Sequence, residues 1–465
     1  MMQSQPLAPA SPKLNARQAA LRVLNILEKK TIPLDLLLSD FDFSGSAGAK
    51  AERALLNSLV YGVLRWRGRL DWIIAHFSKT RLNRIDPDIL NILRIGLFQA
   101  IMLDKIPVSA AVNTSVEMAK KFAAPWVVRY VNGLLRNAVR NYSQVVFPDL
   151  EKISAKSLAV NLSFPEWLIK RWLNRYGADT TKSLCEIINT IPPLILRTNT
   201  LKNSRSELIQ LLMGFSKKIK PAGLAPDGII IEQLSRPIFQ LPGFSKGCFQ
   251  VQDEAAQLAL LLLNPQPGEI ILDACAGLGG KTGYIAQIMK NRGQIYAIDN
   301  QPLKLEKLTQ EMQRLGVSII RPLIKDLTIQ KKSCKLPSFD RIFLDAPCSG
   351  LGVIRKNPDI KWAHGKKKFA TYKEKQITLL NNMPGYLKTG GTIVYAVCSF
   401  EPEENEQVVD AFLANHPDFS VSKQSHGLPD QSVGMINKKG YFKAMPFPDN
   451  MDGFFAVALK HRRSQ

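Results

Sequence analysis

Long apolar runs are missing from this 465-residue chain. No stretch approaches the ~18 residues of a membrane span, and the tightest, Leu258 to Leu263, ends after six. A membrane-spanning role is therefore not expected. Nor is a secretory leader, because Met1 to Lys13 is polar, carries prolines and lacks an apolar centre. Cysteine is scarce: Cys185, Cys248, Cys275, Cys334, Cys348 and Cys398 are the only six. They are too scattered for a disulfide framework and suit a reducing, cytoplasmic compartment. No Cys-x-x-Cys pair and no histidine cluster suggests a metal. Acidic residues are the minority charge, 39 against 62 Lys and Arg, for a net charge of +23. Basic residues outnumber acidic ones by 20 to 11 in 1–150, 14 to 9 in 151–260 and 28 to 19 in 261–465. An excess shared by every part favours a polyanionic partner tracked across several domains, which is to say nucleic acid.

What is present begins with helical periodicity over 14–140. Asn15 can cap a helix carrying Ala20, Leu21, Leu24 and Leu27 on one face, with Gln18 placed to complete a capping box. Asp86-Pro87 opens a second, with Ile89, Leu90, Leu93, Leu97 and Ile101 at helical spacing. Further helices are expected near Glu52 to His76, Val108 to Phe122 and Trp126 to Arg140, giving an all-α bundle. Arg65, Arg67 and Arg69, interleaved with Trp66 and Trp72, read either as a nucleic-acid face or as a solvated face over a tryptophan core. The periodicity lapses over 141–165, and a small mixed domain follows. Its expected helices are Glu166 to Tyr176, Thr181 to Thr190 and Ser204 to Met213, and its expected strands Leu194 to Thr198 and Gly228 to Glu232. From about 254, strands (Ile270 to Asp273, Gln294 to Asp299, Ser318 to Leu323, Phe339 to Asp345, Thr392 to Ala396) alternate with helices near 280–290 and 302–315. That alternation marks a doubly wound parallel sheet, and Asp452 to Ala458 is expected to close it with an antiparallel strand.

The first of these strands runs into Ala274-Cys275-Ala276-Gly277-Leu278-Gly279-Gly280-Lys281-Thr282, a glycine-rich turn that lets a ligand approach the backbone. A dinucleotide fingerprint would need glycine where Thr282 stands, and a P-loop would need it where Cys275 stands. Asp299 ends the second strand about twenty residues on, where a carboxylate can accept from ribose hydroxyls. Asp326 follows the third strand and could hold an adenine amino group. A nucleoside-bearing cofactor fits this pattern.

Two cysteines fifty residues apart carry the chemistry: Cys348 in Asp345-Ala346-Pro347-Cys348-Ser349-Gly350 and Cys398 in Tyr395-Ala396-Val397-Cys398-Ser399. Each follows a strand-like apolar run, so each lies at a strand carboxyl end, the edge where open α/β sheets bind ligands. A cysteine is more commonly a small buried hydrophobe. Here Pro347, Ser349, Gly350, Ser399 and Pro402 form turns that would leave the sulfurs near solvent.

On these motifs the chain resembles the NOP2/Sun family of S-adenosylmethionine-dependent RNA cytosine-C5 methyltransferases, in its bacterial ribosomal branch. The resemblance spans nearly the whole chain. It implies a NusB-like all-α RNA-binding bundle over 1–145, a small α+β linking and RNA-binding domain over 146–250, and a Rossmann-like class I methyltransferase domain over 251–462. It further implies that Cys275, Ala276, Gly277, Leu278, Gly279, Gly280, Lys281, Asp299, Asp326 and Asp345 bind S-adenosylmethionine. Cys398 would be the nucleophile, and Cys348 would assist product release. The implied partner is 16S rRNA, naked or partly assembled, with one hairpin cytosine as target and the enzyme a monomer. A tRNA or 23S rRNA cytosine methyltransferase is the nearest alternative, and a non-catalytic RNA-binding assembly or antitermination factor a more distant one. Two departures stand out: Gly277-Leu278 replaces the family's usual Ala-Pro, and Val397 replaces the Thr that usually precedes the second cysteine.

Overall fold

A computed structural model describes residues 14–30, 32–41, 43, 48–329, 336–363, 365, 367–423 and 427–462. Cys334 and the polar start, Met1 to Lys13, lie outside the described residues. The chain divides into two compact units, Met1–Asn189 with Asn357–Ala363, and Thr190–Lys356 with His364–Gln465. No helix among the described residues is long and apolar enough to cross a membrane.

The first unit is helical: α1 (Ala16–Lys29), α2 (Leu34–Ser39), α3 (Ala49–Phe77), α4 (Pro87–Met102), α5 (Val108–Lys120), α6 (Pro125–Arg140), α7 (Ala155–Asn161), α8 (Glu166–Tyr176) and α9 (Ala178–Ile188). The expected start signals operate as read. Asn15 Oδ1 accepts from the Gln18 amide at 3.0 Å while Gln18 Oε1 accepts from the Asn15 amide at 3.3 Å, closing the capping box of α1. Asp86 caps α4 by accepting from the amides of Asp88 and Ile89. Helix α4 is buried nearly all round, through Ile89, Ile92, Leu93, Ile95 and Leu97, and forms the axis of the bundle core. The arginine–tryptophan stretch of α3 is partly buried and its arginines are engaged within the unit. Arg65 is buried, Arg67 pairs with Glu28 at 3.0 Å, and the guanidinium of Arg69 lies 4.1 Å over the Phe147 ring. An amphipathic α3 face cannot announce which neighbours will meet its charges, so the sequence left both readings open.

The second unit holds two sheets. A small antiparallel one has the order β2-β3-β1-β4, built from β1 (Leu194–Thr198), β2 (Ser216–Pro221), β3 (Gly228–Leu234) and β4 (Phe249–Val251), with α10 (Arg205–Leu212) packed on it. The larger has the order β10-β12-β9-β8-β5-β6-β7, with β11 paired to β12. Its strands are β5 (Ile270–Ala274), β6 (Gln294–Asp299), β7 (Ile320–Ile324), β8 (Phe339–Asp345), β9 (Leu387–Val397), β10 (Phe419–Val421), β11 (Tyr441–Ala444) and β12 (Phe454–His461). Strands β5 to β9 pair in parallel, and β12 runs antiparallel to β9 as expected. Helices α11 (Glu254–Leu261), α12 (Gly280–Ile288) and α13 (Pro302–Leu315) intervene. Next comes a single turn, α14 (Ile360–Ala363), which belongs to the first unit, and then α15 (Lys367–Asn382) and α16 (Glu406–Asn415). The chain leaves β5 towards β6 and β7 and returns to β8 on the other side of β5. The order therefore reverses between β5 and β8, and a crevice is expected beyond their carboxyl ends.

Arg197 of β1 ties the small sheet to this crevice. It is fully buried, its guanidinium donates to Gly280 O at 2.7 Å and to Gln250 Oε1 at 2.8 Å, and it lies 4.8 Å over the Tyr284 ring. The first turn of α12, which follows the glycine-rich loop, is thus anchored from behind.

Within the first unit, Lys361 of α14 is 1 % exposed. Its Nζ donates to Arg65 O, Ser163 O and Asn189 Oδ1 and sits 3.8 Å over the Phe164 ring. Removing the amine would take a donor from two buried carbonyls and from the half-buried Asn189 amide oxygen. Lys361→Met is expected to lower the free energy of unfolding by about 3 kcal/mol, measured by urea denaturation, because methionine fills the volume and meets none of the acceptors. An unchanged midpoint would mean that these contacts contribute nothing.

Candidate active site

The parallel register of β8 and β9 places Asp345 opposite Ala396, so the loops leaving the two strands emerge side by side. Cys348 and Cys398 consequently meet, with sulfurs 3.3 Å apart and both half-buried. Ala346 N donates to Ala396 O at 2.9 Å and Gly352 N to Cys398 O at 3.0 Å, which stitch one loop to the other. A side chain at Gly352 would place its Cβ 1.8 Å from Gly453 O and 2.9 Å from the Cys398 carbonyl carbon, so only glycine permits this approach.

Lys281, at the start of α12, pairs through Nζ with Asp345 Oδ2 beside the thiols. Burial alone would push its amine down. The Asp345 carboxylate, helped by Cys398, outweighs that and leaves it above its ordinary value, a fixed cation at the sulfurs. Cys348 is shifted well upward by its hydrogen bond to Cys398, then by burial, with Glu404 and Asp345 adding to both. These shifts hold the Cys348 thiol in its protonated form.

Next to the thiols lies a cavity of about 170 Å³, lined among others by Cys275, Asp299, Asp326, Gln301, Lys304, Lys325, Pro347 and Lys375. The structure therefore gathers three of the expected cofactor residues into one pocket. Asp345 and Lys281 face the thiols instead, and Ala276 to Gly280 form the turn between the two. Cys275 is a non-glycine residue at φ +63°, and Gly277 follows at +57°. That left-handed geometry favours glycine at 277 and aims the Gly277 amide at Asp299 Oδ2, 3.0 Å away. Asp299 Oδ1 accepts from Gln301 N at 2.9 Å. Asp326 accepts from the amide and hydroxyl of Thr328, which hold its carboxyl below the usual range. The Cys275 thiol is pushed up to about 12 by burial, then by Asp345, Asp299 and Asp273, so it is a structural thiol.

Both departures from the usual family pattern are accommodated. Gly277 occupies a glycine conformation, and Leu278 turns its side chain out, 56 % exposed. Val397 is buried with Tyr395, Phe455 and Leu344 on one face of the sheet, whereas Cys398 packs with Val394 and Ala396 on the other. A hydroxyl at 397 would point into an apolar core, away from the sulfur.

Sequence reading missed Lys304, Lys325 and Lys375 in the pocket wall. The Lys325 amine is buried without a hydrogen-bond partner among the described residues, which suits a wall that expects a ligand acceptor. Helix α15, which supplies Lys375, was also missed, although Phe369, Gln376, Leu379, Leu380 and Met383 recur at helical spacing and are buried. A larger cavity of about 590 Å³ lies in the first unit, lined by apolar residues such as Leu21, Ile26, Leu37 and Met118 and by Arg22, Lys29, Lys30 and Lys121. Neither Cys348 nor Cys398 lines it, whereas the smaller cavity is lined by Pro347, the residue before Cys348.

Three family models match the chain. The family model "16S rRNA methyltransferase RsmB/F" matches residues 260–460, the NusB family 14–140, and the RsmF/B-like ferredoxin-like domain 164–236. The chain is 36% identical over 448 residues to the probable ribosomal RNA small subunit methyltransferase B of Synechocystis sp., covering 96% of this chain and 99% of that one. It is 34% identical to the ribosomal RNA small subunit methyltransferase B of Klebsiella pneumoniae, over 89% and 91% of the two chains. The crystal structure of PH0851 superposes with a TM-score of 0.78 at 26% identity, over 97% of this chain and 99% of that one.

The floor of the site yields a pH test. Asp273, fully buried at the end of β5, accepts from Thr282 Oγ1 at 2.6 Å. Burial pushes it up to about 7 from an ordinary 3.8, against the pull of Thr282. The folded protein thus holds a proton there that the unfolded chain releases, and stability contributed by this group is lost as pH rises from about 4 to 7. Asp273→Asn is expected to remove that loss, so the stability of the variant relative to wild type rises across the window in urea melts. A constant difference from pH 4 to 8 would count against a protonated Asp273.

Proposed function

Because this chain belongs to the ribosomal RNA small subunit methyltransferase B family, we propose that it methylates C5 of one cytosine in 16S rRNA through a covalent bond between Cys398 and C6. The observation that carries this reading is the pair of sulfurs 3.3 Å apart beside the Lys281–Asp345 ion pair, at the carboxyl edge of the sheet. The methyl donor is S-adenosylmethionine, which when bound supplies an electrophilic methyl group. We assign the Cys275–Lys281 turn, Asp299 and Asp326 to holding it, and Asp345 and Lys281 to the boundary between donor and base.

Cytosine C5 is too weak a nucleophile to take a methyl group unaided. A thiolate added at C6 makes C5 an enamine carbon, which can. Cys398 is the thiol assigned to add: the Cys348 thiol beside it is held protonated, and the Lys281 ammonium offsets developing negative charge. Asp345 is placed to contact the polar edge of the base as the sulfur adds. Loss of the C5 proton then expels the Cys398 sulfur, and Cys348 is the adjacent group placed to assist. The base must leave any stack to reach this edge.

RNA would be held by the basic surfaces of both units. In the first, Arg22, Lys29, Lys30 and Lys121 rim the larger cavity. In the second, Lys217, Lys218 and Lys220 line the exposed edge strand β2. An edge strand carries lysines in many proteins simply to discourage pairing with another chain; a net charge of +23 favours the RNA reading.

Cys398→Ala is expected to abolish methyl transfer to a 16S transcript, while Cys348→Ala accumulates a denaturant-stable protein–RNA adduct visible on a gel. Bisulfite mapping of the product identifies the cytosine. Full turnover by the Cys398 variant would reject the mechanism, and a methylated base other than cytosine would reject the assignment.

A further inference from the structure

Glu404 is one of several buried acids that the mechanism above leaves unused, and the one bonded to both cysteine loops. Glu404, in the turn between β9 and α16, is wholly buried and has no access to substrate. Its carboxylate collects hydrogen bonds from both cysteine loops. Oε1 accepts from the Ser349 amide at 2.6 Å and from Gln376 Nε2 at 3.4 Å; Oε2 accepts from the hydroxyls of Ser349 and Ser399, each at 2.5 Å. Ser349 and Ser399 are the residues immediately after Cys348 and Cys398. The Gln376 amide also donates to Pro347 O, just before Cys348, at 2.9 Å. Glu404 is itself fixed, since its carbonyl accepts from Tyr395 OH at 2.6 Å and its amide donates to Glu401 O at 3.1 Å.

We propose that Glu404 is the positioning residue that sets the two thiols against each other, one carboxylate clamping the loop after each cysteine so that both sulfurs face the same base. The backbone bonds from Ala346 N to Ala396 O and from Gly352 N to Cys398 O tie the two loops on either side of the cysteines, and the carboxylate adds a tie at the residue directly after each one. A carboxylate suits the task because it accepts from several donors at once and, in a dry site, each such bond is strong. Burial pushes its pKa up while the serine donors pull it down. Glutamine is the informative replacement. Its carbonyl can serve Ser349 N and Gln376, and its NH2 can donate to the serine oxygens once those hydroxyls rotate, so the clamp survives without the charge.

The kinetic part of this proposal rests on the reading of Cys398 and Cys348 as the reacting pair; the geometric part does not. The whole protein is therefore equilibrated with glutathione buffers, without RNA or methyl donor. The two thiols lose two electrons and two protons to form one S–S bond, and oxidised glutathione takes them up to give two molecules of reduced glutathione. Peptide mapping by mass spectrometry reads the Cys348–Cys398 disulfide. Glu404→Ala is expected to lower its equilibrium constant roughly tenfold, and Glu404→Gln to stay within roughly threefold of wild type. With RNA and donor, Glu404→Ala is expected to lower kcat on the order of a hundredfold while KM for S-adenosylmethionine stays within about threefold, with Glu404→Gln recovering most of the loss. Should the alanine variant not fold, Ser349→Ala and Ser399→Ala each remove one arm of the clamp, and each should lower the disulfide constant about threefold.

The proposal is overturned if the glutamine variant is as impaired as the alanine variant. Wild-type disulfide constants or wild-type kcat in Glu404→Ala would overturn it too, as would wild-type constants in both serine variants. Turnover by Cys398→Ala would remove the covalent mechanism, and the glutathione measurement would still decide the role of Glu404.

Discussion

The parallel pairing of β8 with β9 is the constraint from which the site follows. With Asp345 opposite Ala396, three residues beyond one and two beyond the other bring Cys348 and Cys398 to 3.3 Å, although fifty residues separate them in sequence. A slip of one residue in that register would carry one sulfur to the opposite face of the sheet. The register is protected on the far side by β12, whose antiparallel pairing with β9 runs from Phe455 opposite Val397 to Lys460 opposite Thr392. The Gly352–Gly453 contact extends the same protection past the strand ends, where ladder hydrogen bonds no longer act.

The groups around this edge are all held toward their protonated forms, which makes the amine a cation and leaves the thiols neutral. Lys281 stays cationic because Asp345 offsets its burial. Cys275 and Cys348 stay protonated, the first mainly through burial and the second mainly through its bond to Cys398. Asp273 sits near neutrality beneath them. All four shifts are upward, and clustered shifts among neighbouring groups are a common mark of a functional site. They arise from one cause: the sheet edge is dry enough to raise the cost of charge and narrow enough that each charge meets a partner.

The same logic explains why the small antiparallel sheet belongs to the catalytic unit. Arg197 reaches from β1 to the first turn of α12 and carries a full charge in the interior, where burial pushes it down to about 10. Such a group is costly, and it is tolerated because Gln250, Gly280 O and the Tyr284 ring surround it. The end of the glycine-rich turn is thereby held from the side of β1.

Much of this was legible in the residues themselves. Capping pairs at Asn15 and Asp86, the helical period of the first 140 residues and the strand–helix alternation after 254 are local signals, and the structure places elements there within a few residues. The two cysteine motifs and the Asp299 and Asp326 positions were equally legible, because a turn that ends a strand writes its chemistry in consecutive residues. The fate of side chains whose partners lie far away in sequence was not. The arginines of α3 became engaged within their own unit, and Lys361 of α14 entered the helical unit from within the catalytic sequence. Glu404, one acid in an acid-rich turn, became a shared acceptor for two loops. Local pattern fixes where a strand ends. Only the packed sheet decides which strand ends are neighbours, because hydrogen-bond register and burial are properties of pairs of segments and not of either segment alone.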